Sequence, residues 1–320
     1  MAKLRIVFMG TAEIACPILR ALHTAPDFEI AAVATQPDRP KGRHLELQVS
    51  PVKQEAQSRG LAVLQPERAR NPEFIEALKQ LRPDVIVVVA YGQILPQPIL
   101  DVPRFGCVNM HTSLLPKYRG AAPIQWAILN GESETGVTIM KMDASLDTGP
   151  MLSEKRTAIA DEDDAQTLQS RLAALGAELI GPTIRDYVAG KIIPRPQLSE
   201  GASYARKITK EDGRIDWRQP ALALWNRVRA FTPWPGAYTF LRSGGKTPLL
   251  KIWKAAVDAP QLGQAGEVVH CGNAGIIVAC SEGSLRITEL QREGGRRLSA
   301  QEFVAGGHIR EGEFLNDQPK

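Results

Sequence analysis

One run of β-branched residues constrains the fold more than any other feature. Residues 85–90 read Val-Ile-Val-Val-Val-Ala, without a charge, and such runs are typical of strands that are covered on both faces of a parallel sheet. Shorter apolar runs at 4–9 and 29–35 alternate with helical patterns, as crossover connections require. The sequence therefore predicts an α/β fold with a doubly wound, mostly parallel sheet.

The length of 320 residues suggests two domains, at about 100 to 200 residues each. Residues 193–196, Ile-Pro-Arg-Pro, interrupt regular structure and begin a predicted linker. Short β-rich runs between 249 and 290, separated by glycine-containing turns, then indicate a small β-barrel. We expect a first domain at 1–192, a linker at 193–206 and a second domain at 207–320.

Changes in apolar spacing predict the remaining elements. Helices are expected at 52–59, 73–81, 122–129 and 165–188, and strands at 62–64, 107–112 and 136–142. We expect Gly181-Pro182 to interrupt the helix at 165–188. A capping box from Ser299 to Glu302 predicts a final short helix.

Composition and charge narrow the class of protein. The longest stretch without a charge, residues 85–100, is shorter than the roughly 20 residues of a spanning helix, so we expect no membrane segment. The N-terminus lacks a signal-peptide pattern, which predicts a cytoplasmic protein. The four cysteines lack C-x-x-C spacing and the five histidines are scattered, which favours buried thiols and no metal site.

A local basic excess begins just before residue 207. Residues 207–254 hold 10 Lys and Arg against 3 Asp and Glu. Such an excess attracts phosphates, although a solvated face is the simpler alternative. The usual nucleotide loops are missing, because the turn after residue 9 has one glycine of the dinucleotide fingerprint and no Walker loop occurs.

Polar side chains at two strand ends are the candidates for chemistry. On the predicted strand at 107–112, Asn109 and His111 are two residues apart and share a face. Asp147 lies in a polar loop directly after the strand at 136–142, and its carboxylate could reach the imidazole if the two strands are neighbours. The alternatives are a core histidine beside a structural asparagine, and a turn-forming aspartate.

With these three residues in view, the chain resembles the formyltransferases that use 10-formyltetrahydrofolate, along nearly its whole length. The resembling stretches are 35–43, 50–53, 90–96, 111–116, 119–125, 135–140, 146–149, 214–217 and 231–235. The resemblance implies a Rossmann-like catalytic domain followed by an OB-like tRNA-binding domain. It also implies transfer of the formyl group of 10-formyltetrahydrofolate to the α-amino group of initiator methionyl-tRNA, for translation initiation, by a monomer.

The resemblance also implies roles for residues. Asn109 and His111 would stabilise the oxyanion, and Asp147 would orient the imidazole and relay protons. The predicted folate-binding residues are Tyr91, Gly92, Gln93, Ile94, Leu95, Pro96, Ser113, Leu114, Leu115, Pro116, Val137, Met140 and Asp143. The predicted tRNA-binding residues are Arg39, Lys41, Arg43, Arg206, Lys207 and Lys210.

Three other functions compete with this interpretation. An N-formyltransferase acting on an amino-sugar nucleotide would share the catalytic residues, but the loop at 36–43 and the basic linker favour tRNA. A glycinamide ribonucleotide formyltransferase usually lacks the second domain. A catalytically silent RNA-binding module would leave Asn109, His111 and Asp147 unexplained.

Overall fold

The computed structural model describes residues 3–41, 46–241, 247–260 and 262–316, without the side chains of 40, 41, 46 and 47. Contacts within the chain define two compact units. The first comprises residues up to 120, 134–158 and 169–205, and the second comprises 121–133, 159–168 and the residues from 206 onward. The second unit contains residues from before and after the predicted linker at 193–206. The predicted domain boundaries therefore remain a prediction.

The first unit is built on a seven-stranded sheet. In its spatial order β10-β9-β7-β6-β1-β2-β5, β9 runs antiparallel to both of its neighbours and the other pairs are parallel. The mostly parallel sheet was correctly predicted. The strands of this unit, with two small outlying pairs, are β1 (Leu4–Gly10), β2 (Phe28–Ala34), β3 (Arg39–Lys41), β4 (Glu46–Gln48), β5 (Val63–Leu64), β6 (Val85–Val89), β7 (Cys107–His111), β8 (Arg119–Gly120), β9 (Glu134–Lys141), β10 (Met151–Ala158) and β11 (Tyr204–Ala205).

Most predicted helices occur within a residue or two of their expected bounds. Those described are α1 (Cys16–Thr24), α2 (Pro51–Ser58), α3 (Pro72–Leu81), α4 (Gln97–Leu100), α5 (Pro123–Leu129), α6 (Ala165–Val188), α7 (Ala221–Ala230) and α8 (Ala300–Ala305), with 3₁₀ turns at Glu13–Ala15 and Glu211–Gly213. The capping box of α8 is present, with the side chains of Ser299 and Glu302 each accepting a main-chain hydrogen bond. Each described helix is too short or too polar to cross a bilayer.

The predicted interruption at Gly181-Pro182 is wrong, because α6 continues through Pro182. The Thr183 hydroxyl donates to the Leu179 carbonyl at 2.7 Å. Leu172 and Ile184, on either side of the proline, are fully buried. Packing along the helix therefore outweighs the cost of about 3 kcal/mol for an interior proline.

The second unit contains a curled antiparallel sheet. Its strands are β12 (Ala237–Leu241), β13 (Leu249–Asp258), β14 (Val268–Gly272), β15 (Gly275–Ala279), β16 (Ser284–Arg292), β17 (Leu298–Ser299) and β18 (Leu315–Asn316). The order is β14-β15-β16-β13-β12-β18, and a bridge between Glu267 and Phe314 ties the two ends of this order together. This is the small barrel-like domain that the sequence predicted. Trp217, Ile252, Ile287 and Phe303 lie in its core.

Candidate functional site

The polar residues of β7 lie on an interior strand of the first unit's sheet. Their strand pairs in parallel with β6, through Val88 and Asn109, and antiparallel with β9, through His111 and Thr138. The segments that follow β6 and β7 therefore leave the sheet at the same edge, where open α/β sheets bind ligands. Both side chains are nearly buried, with Asn109 9% and His111 6% exposed.

The structure brings Asn109, His111 and Asp147 together. Nδ1 of His111 lies 3.7 Å from one carboxylate oxygen of Asp147, and Nδ2 of Asn109 donates to the other at 3.5 Å. β9 is indeed a neighbour of β7, but it is antiparallel, so its last residue, Lys141, pairs with Val108 at the start of β7. The loop after β9 must therefore fold back over the sheet for its carboxylate to reach the imidazole.

Main-chain groups after β7 hold the imidazole and the carboxylate. Nε2 of His111 lies 2.8 Å from the Tyr118 carbonyl, and the Gly120 amide donates to the Asp147 carboxylate at 2.8 Å. Because a carbonyl only accepts, Nε2 carries a hydrogen and Nδ1 is the nitrogen that can exchange a proton. Sequence spacing gave no signal for these contacts.

The predicted folate-binding segment after β6 divides between core and surface. The Tyr91 ring is 1% exposed, and burial raises the pKa of its hydroxyl to about 12. The Tyr91 carbonyl accepts from Thr11 and from Gln36, at 2.8 and 3.0 Å. Its side chain and that of Leu95 belong to the core, whereas Ile94 is 84% exposed.

Gly92 and Gln93, in the same segment, contact residues outside it. Gly92 has a φ of +83°, and an added Cβ would collide with the Gln36 amide. The Gln93 side chain accepts from the main chain of Ala69 at 2.7 Å. Pro96 precedes α4, at whose start its carbonyl accepts from Ile99 at 2.9 Å.

Residues 113–116, the predicted folate-binding segment after β7, are hydrogen-bonded to β9. The buried Thr138 hydroxyl donates to the Ser113 carbonyl at 2.7 Å and accepts from the Leu115 amide at 3.2 Å. The Ser113 hydroxyl donates to the Lys117 carbonyl at 2.6 Å. Leu114 is half-buried, Leu115 is buried, and the bond from Leu115 to Pro116 is cis. Thr138, for which the sequence pattern indicated no role, shapes this turn.

The remaining predicted folate residues have different positions. Val137 and Met140 of β9 are buried. Asp143 accepts from the Ser145 amide at 3.0 Å and from the Thr148 hydroxyl at 2.8 Å, so its carboxylate organises the loop that carries Asp147.

The predicted tRNA-binding residues lie in two regions. Arg39 is exposed at the start of the β3–β4 hairpin, while the side chain of Lys41 and the whole of Arg43 lie outside the described residues. Lys207 and Lys210 are exposed. Arg206 is exposed and pairs with Asp212, whose pKa is lowered mainly by that hydrogen bond.

Part of the basic excess in the second unit is structural. Arg229 stacks on Trp225, with 3.8 Å between the guanidinium carbon and the ring centroid, and donates to the Ala160 carbonyl at 2.9 Å. Arg227 donates to the Asp212 carbonyl. These two cations support the unit and are not free for phosphates.

Two family descriptions match the chain. Residues 4–184 match the family described as Formyl transferase, and residues 207–308 match its C-terminal domain. The chain belongs to the formyl transferase family. The family predicted from sequence is thereby confirmed, and the matched residues of this formyl transferase include Asn109, His111 and Asp147.

Relatives resemble this formyl transferase over its full length. The methionyl-tRNA formyltransferase of Geobacter sulfurreducens is 51% identical over 317 residues, covering 99% of this chain and 98% of the relative. That of Caldanaerobacter subterraneus subsp. tengcongensis is 50% identical over 313 residues, covering 98% and 100%.

Solved structures with low sequence identity share the fold of this formyl transferase. An N-formyltransferase from Helicobacter canadensis, in complex with folinic acid and dTDP-3-aminofucose, has a TM-score of 0.64 at 20% identity and covers 91% of this chain and all of its own. HypX from Aquifex aeolicus, in complex with tetrahydrofolic acid, has a TM-score of 0.61 at 17% identity and covers 99% of this chain and 51% of its own.

Proposed function

We propose that this formyl transferase moves the formyl group of 10-formyltetrahydrofolate to the α-amino group of initiator methionyl-tRNA. The observation that carries the proposal is the similarity of nearly the whole chain to methionyl-tRNA formyltransferases, at about 50% sequence identity. The match includes the C-terminal domain and covers 98% or more of this chain, so the sequence similarity extends beyond the catalytic core. Such a role in translation predicts a cytoplasmic enzyme, and we expect a monomer.

The chemistry requires an oxyanion to be stabilised. The amine nitrogen attacks the formyl carbon, a C–N bond forms and the carbonyl electron pair moves to oxygen. An α-amino group has a pKa of about 8, so a useful fraction of the nucleophile is neutral at pH 7. The amide of Asn109 supports this step, because among the described residues its side chain makes only the long hydrogen bond to Asp147, so that an N–H can turn to the developing oxyanion.

We assign proton transfer to His111, in place of the oxyanion contact that the resemblance implied for it. Its Nε2 hydrogen is held by Tyr118, so Nδ1 accepts the proton that the attacking amine loses. The Asp147 carboxylate, 3.7 Å from Nδ1, offsets the positive charge that the ring then carries. When the intermediate collapses, the bond from carbon to folate N10 breaks and N10 takes up a proton. His111, with Asp147 beside it, thereby moves one proton from the amine to the leaving group, while Asn109 stabilises the oxyanion.

The folate site fits the edge of the sheet. Residues 92–96 follow β6 and residues 113–116 follow β7, and these strands are parallel neighbours. A planar pterin needs a slot with main-chain hydrogen-bonding groups, which the fastened turn at 113–116 and the backbone of 92–96 can supply. Because the Tyr91 ring is in the core, we assign contact to residues 92–96 rather than to that ring.

For tRNA, phosphate contacts would supply most of the affinity. We propose that tRNA contacts Arg39 and Lys41 of β3, Arg43 further along the chain, and Lys207 and Lys210 in the second unit, with residues 207–320 as the tRNA-binding domain. An ion pair anchors the first arm of the hairpin, since Lys53 bonds to Asp38 and lowers its carboxyl pKa. Gln65 also donates to Asp38, at 2.9 Å.

The test compares acceptors under one set of conditions. Purified enzyme and 10-formyltetrahydrofolate are mixed with initiator methionyl-tRNA, with a dTDP-amino sugar or with glycinamide ribonucleotide, and the formylated product is quantified. We expect product with the tRNA and a far lower rate with the two small acceptors. A faster reaction with the amino sugar would overturn the acceptor assignment while leaving the formyl chemistry in place.

A further inference from the structure

A glutamine in the predicted linker is hydrogen-bonded to the loop that carries Asp147. Gln197 is half-buried, although both of its neighbours, Pro196 and Leu198, are exposed. Its Nε2 donates to the Asp147 carbonyl at 2.9 Å and to the Gly149 carbonyl at 2.8 Å. A segment whose composition predicted only a connection therefore reaches the candidate catalytic loop.

The orientation of this amide follows from its partners. Its Oε1 accepts from Nε and Nη2 of Arg119, at 3.0 and 2.8 Å. Carbonyls can only accept and a guanidinium can only donate, so a flipped amide would face a mismatch on both sides. Both hydrogens of the amide nitrogen and both lone pairs of its oxygen are used. A side chain that satisfies all four contacts must therefore have the length and the asymmetry of glutamine.

The backbone that Gln197 binds, at Asp147, is in an unusual conformation. Asp147 has a φ of +54°, in the left-handed region that costs a non-glycine residue about 1 kcal/mol or more. Gly149 lies two residues after Asp147, and a Cβ added to it would collide with the Lys141 carbonyl. The two bonds from Gln197 hold the backbone on either side of Thr148, and thereby support this bend.

Through Arg119, Gln197 is also connected to β8, the strand that binds the Asp147 carboxylate. That arginine is 8% exposed, and it precedes Gly120, whose amide donates to the Asp147 carboxylate at 2.8 Å. The backbone of β8 pairs with β11 in the linker. Gln197 thus connects the main chain of Asp147 to the strand that binds the Asp147 side chain.

We infer that Gln197 is a positioning residue for formyl transfer, which holds the Asp147 carboxylate in reach of His111 by clamping the 147–149 backbone against Arg119. This inference rests on the proposed function, because it assumes that Asp147 acts in the reaction. The clamp makes the linker part of the catalytic apparatus. Misplacing a catalytic group by about 1 Å can cost up to about a hundredfold in rate.

The experiment measures the steady-state kinetics of formylation of initiator methionyl-tRNA by Gln197→Met and Gln197→Glu. The first removes all four contacts at similar volume, and the second keeps an acceptor for Arg119 but places a carboxylate oxygen against two carbonyls. We expect both to lower kcat by about tenfold to a hundredfold, with KM for folate and for tRNA changed by less than about threefold. Leu198→Ala, which truncates an exposed neighbour, is the control and should match the wild type.

A double mutant separates positioning from general destabilisation. If Gln197 acts through Asp147, adding Gln197→Met to Asp147→Ala lowers the rate no further, whereas independent effects multiply. Thermal unfolding of each variant confirms that the protein is folded at the assay temperature.

The possible results distinguish the inference from the proposed function. An impaired Asp147→Ala beside a normal Gln197→Met overturns the positioning role alone. A further full loss in the double mutant also overturns it, because Gln197 would then act independently of Asp147. A normal rate for Asp147→Ala contradicts the proposed mechanism, and the inference falls with it.

Discussion

Nε2 of His111 donates its hydrogen to the main-chain carbonyl of Tyr118, 2.8 Å away. The carbonyl has no hydrogen to return, so this bond fixes one ring tautomer when His111 is neutral. Nδ1 is left facing the Asp147 carboxylate at 3.7 Å. The fold therefore determines which ring nitrogen is available for the proposed proton transfer.

Replacing Asp147 by asparagine separates charge from backbone strain. Asparagine tolerates the positive φ of this position as aspartate does, and its side-chain oxygen can still accept from Gly120. We expect Asp147→Asn to lower kcat by about 10²- to 10⁴-fold, since the charge that stabilises the imidazolium is lost. The melting temperature should change little. Asp186→Asn, which removes a carboxylate on α6 that pairs with Lys191, controls for lost charge.

Gly149→Ala tests whether the bend after Asp147 matters. The new Cβ would meet the Lys141 carbonyl, which is backbone and cannot swing aside. We expect a severe loss of formylation together with a lower melting temperature. Gly190→Ala, at a positive φ with open space around it, should lower stability slightly and leave the formylation rate unchanged. Near-normal activity of Gly149→Ala would mean that the loop can move without cost to the reaction.

Arg39→Ala tests the hairpin as a contact for nucleic acid. Because Arg39 is exposed, its loss should raise KM for tRNA, leave kcat unchanged and reduce the slope of log affinity against log salt by about one. Arg104→Ala, which removes an exposed arginine before β7 that stacks on Phe105, is the matched control. Equal effects of the two variants would count against a specific contact.

Stability should depend on pH through Glu55. Hydrogen bonds from Arg20 and Arg59 lower the pKa of Glu55 from 4.5 to about 2. A depressed pKa contributes stability that is complete above 4.5 and is lost as the pH falls towards 2. With Arg20 about half-exposed, Glu55→Gln should destabilise the fold at pH 7 by about 1 to 2 kcal/mol. Urea unfolding at pH 7, 5 and 3 measures this difference, which should shrink below pH 4.5; a difference that is constant with pH would contradict it.

The sequence predicted those parts of the site that depend on local periodicity. Asn109 and His111 share a face because alternate residues of a strand do. Val85–Val89 became a buried central strand because an uninterrupted β-branched run is typical of a strand covered on both faces. The approach of Asp147 depends on the antiparallel pairing of β9, which periodicity does not encode. β10 was missed because its charged, half-exposed residues lack a buried-strand pattern.

The non-local contacts of Gln197, Arg227 and Arg229 could not be predicted from the sequence. Gln197 lies in a proline-rich stretch that reads as a linker, and nothing in its spacing indicates that its amide meets Asp147. Arg227 and Arg229 counted toward a phosphate-binding charge, yet both lie partly buried against main-chain carbonyls of their own unit. The sequence at Gly181-Pro182 indicated an interruption of α6, but the helix is continuous because buried residues pack on both sides of the proline.

The most direct test of the account is the single-turnover rate of formyl transfer from 10-formyltetrahydrofolate to initiator methionyl-tRNA. The proteins compared are Asn109→Ala, His111→Ala, Asp147→Ala and the triple variant. Each single variant should lose about a hundredfold or more, and the triple variant should be little slower than the worst single one, since groups that act as a unit are not additive. A near-normal rate for Asn109→Ala or His111→Ala would contradict the account.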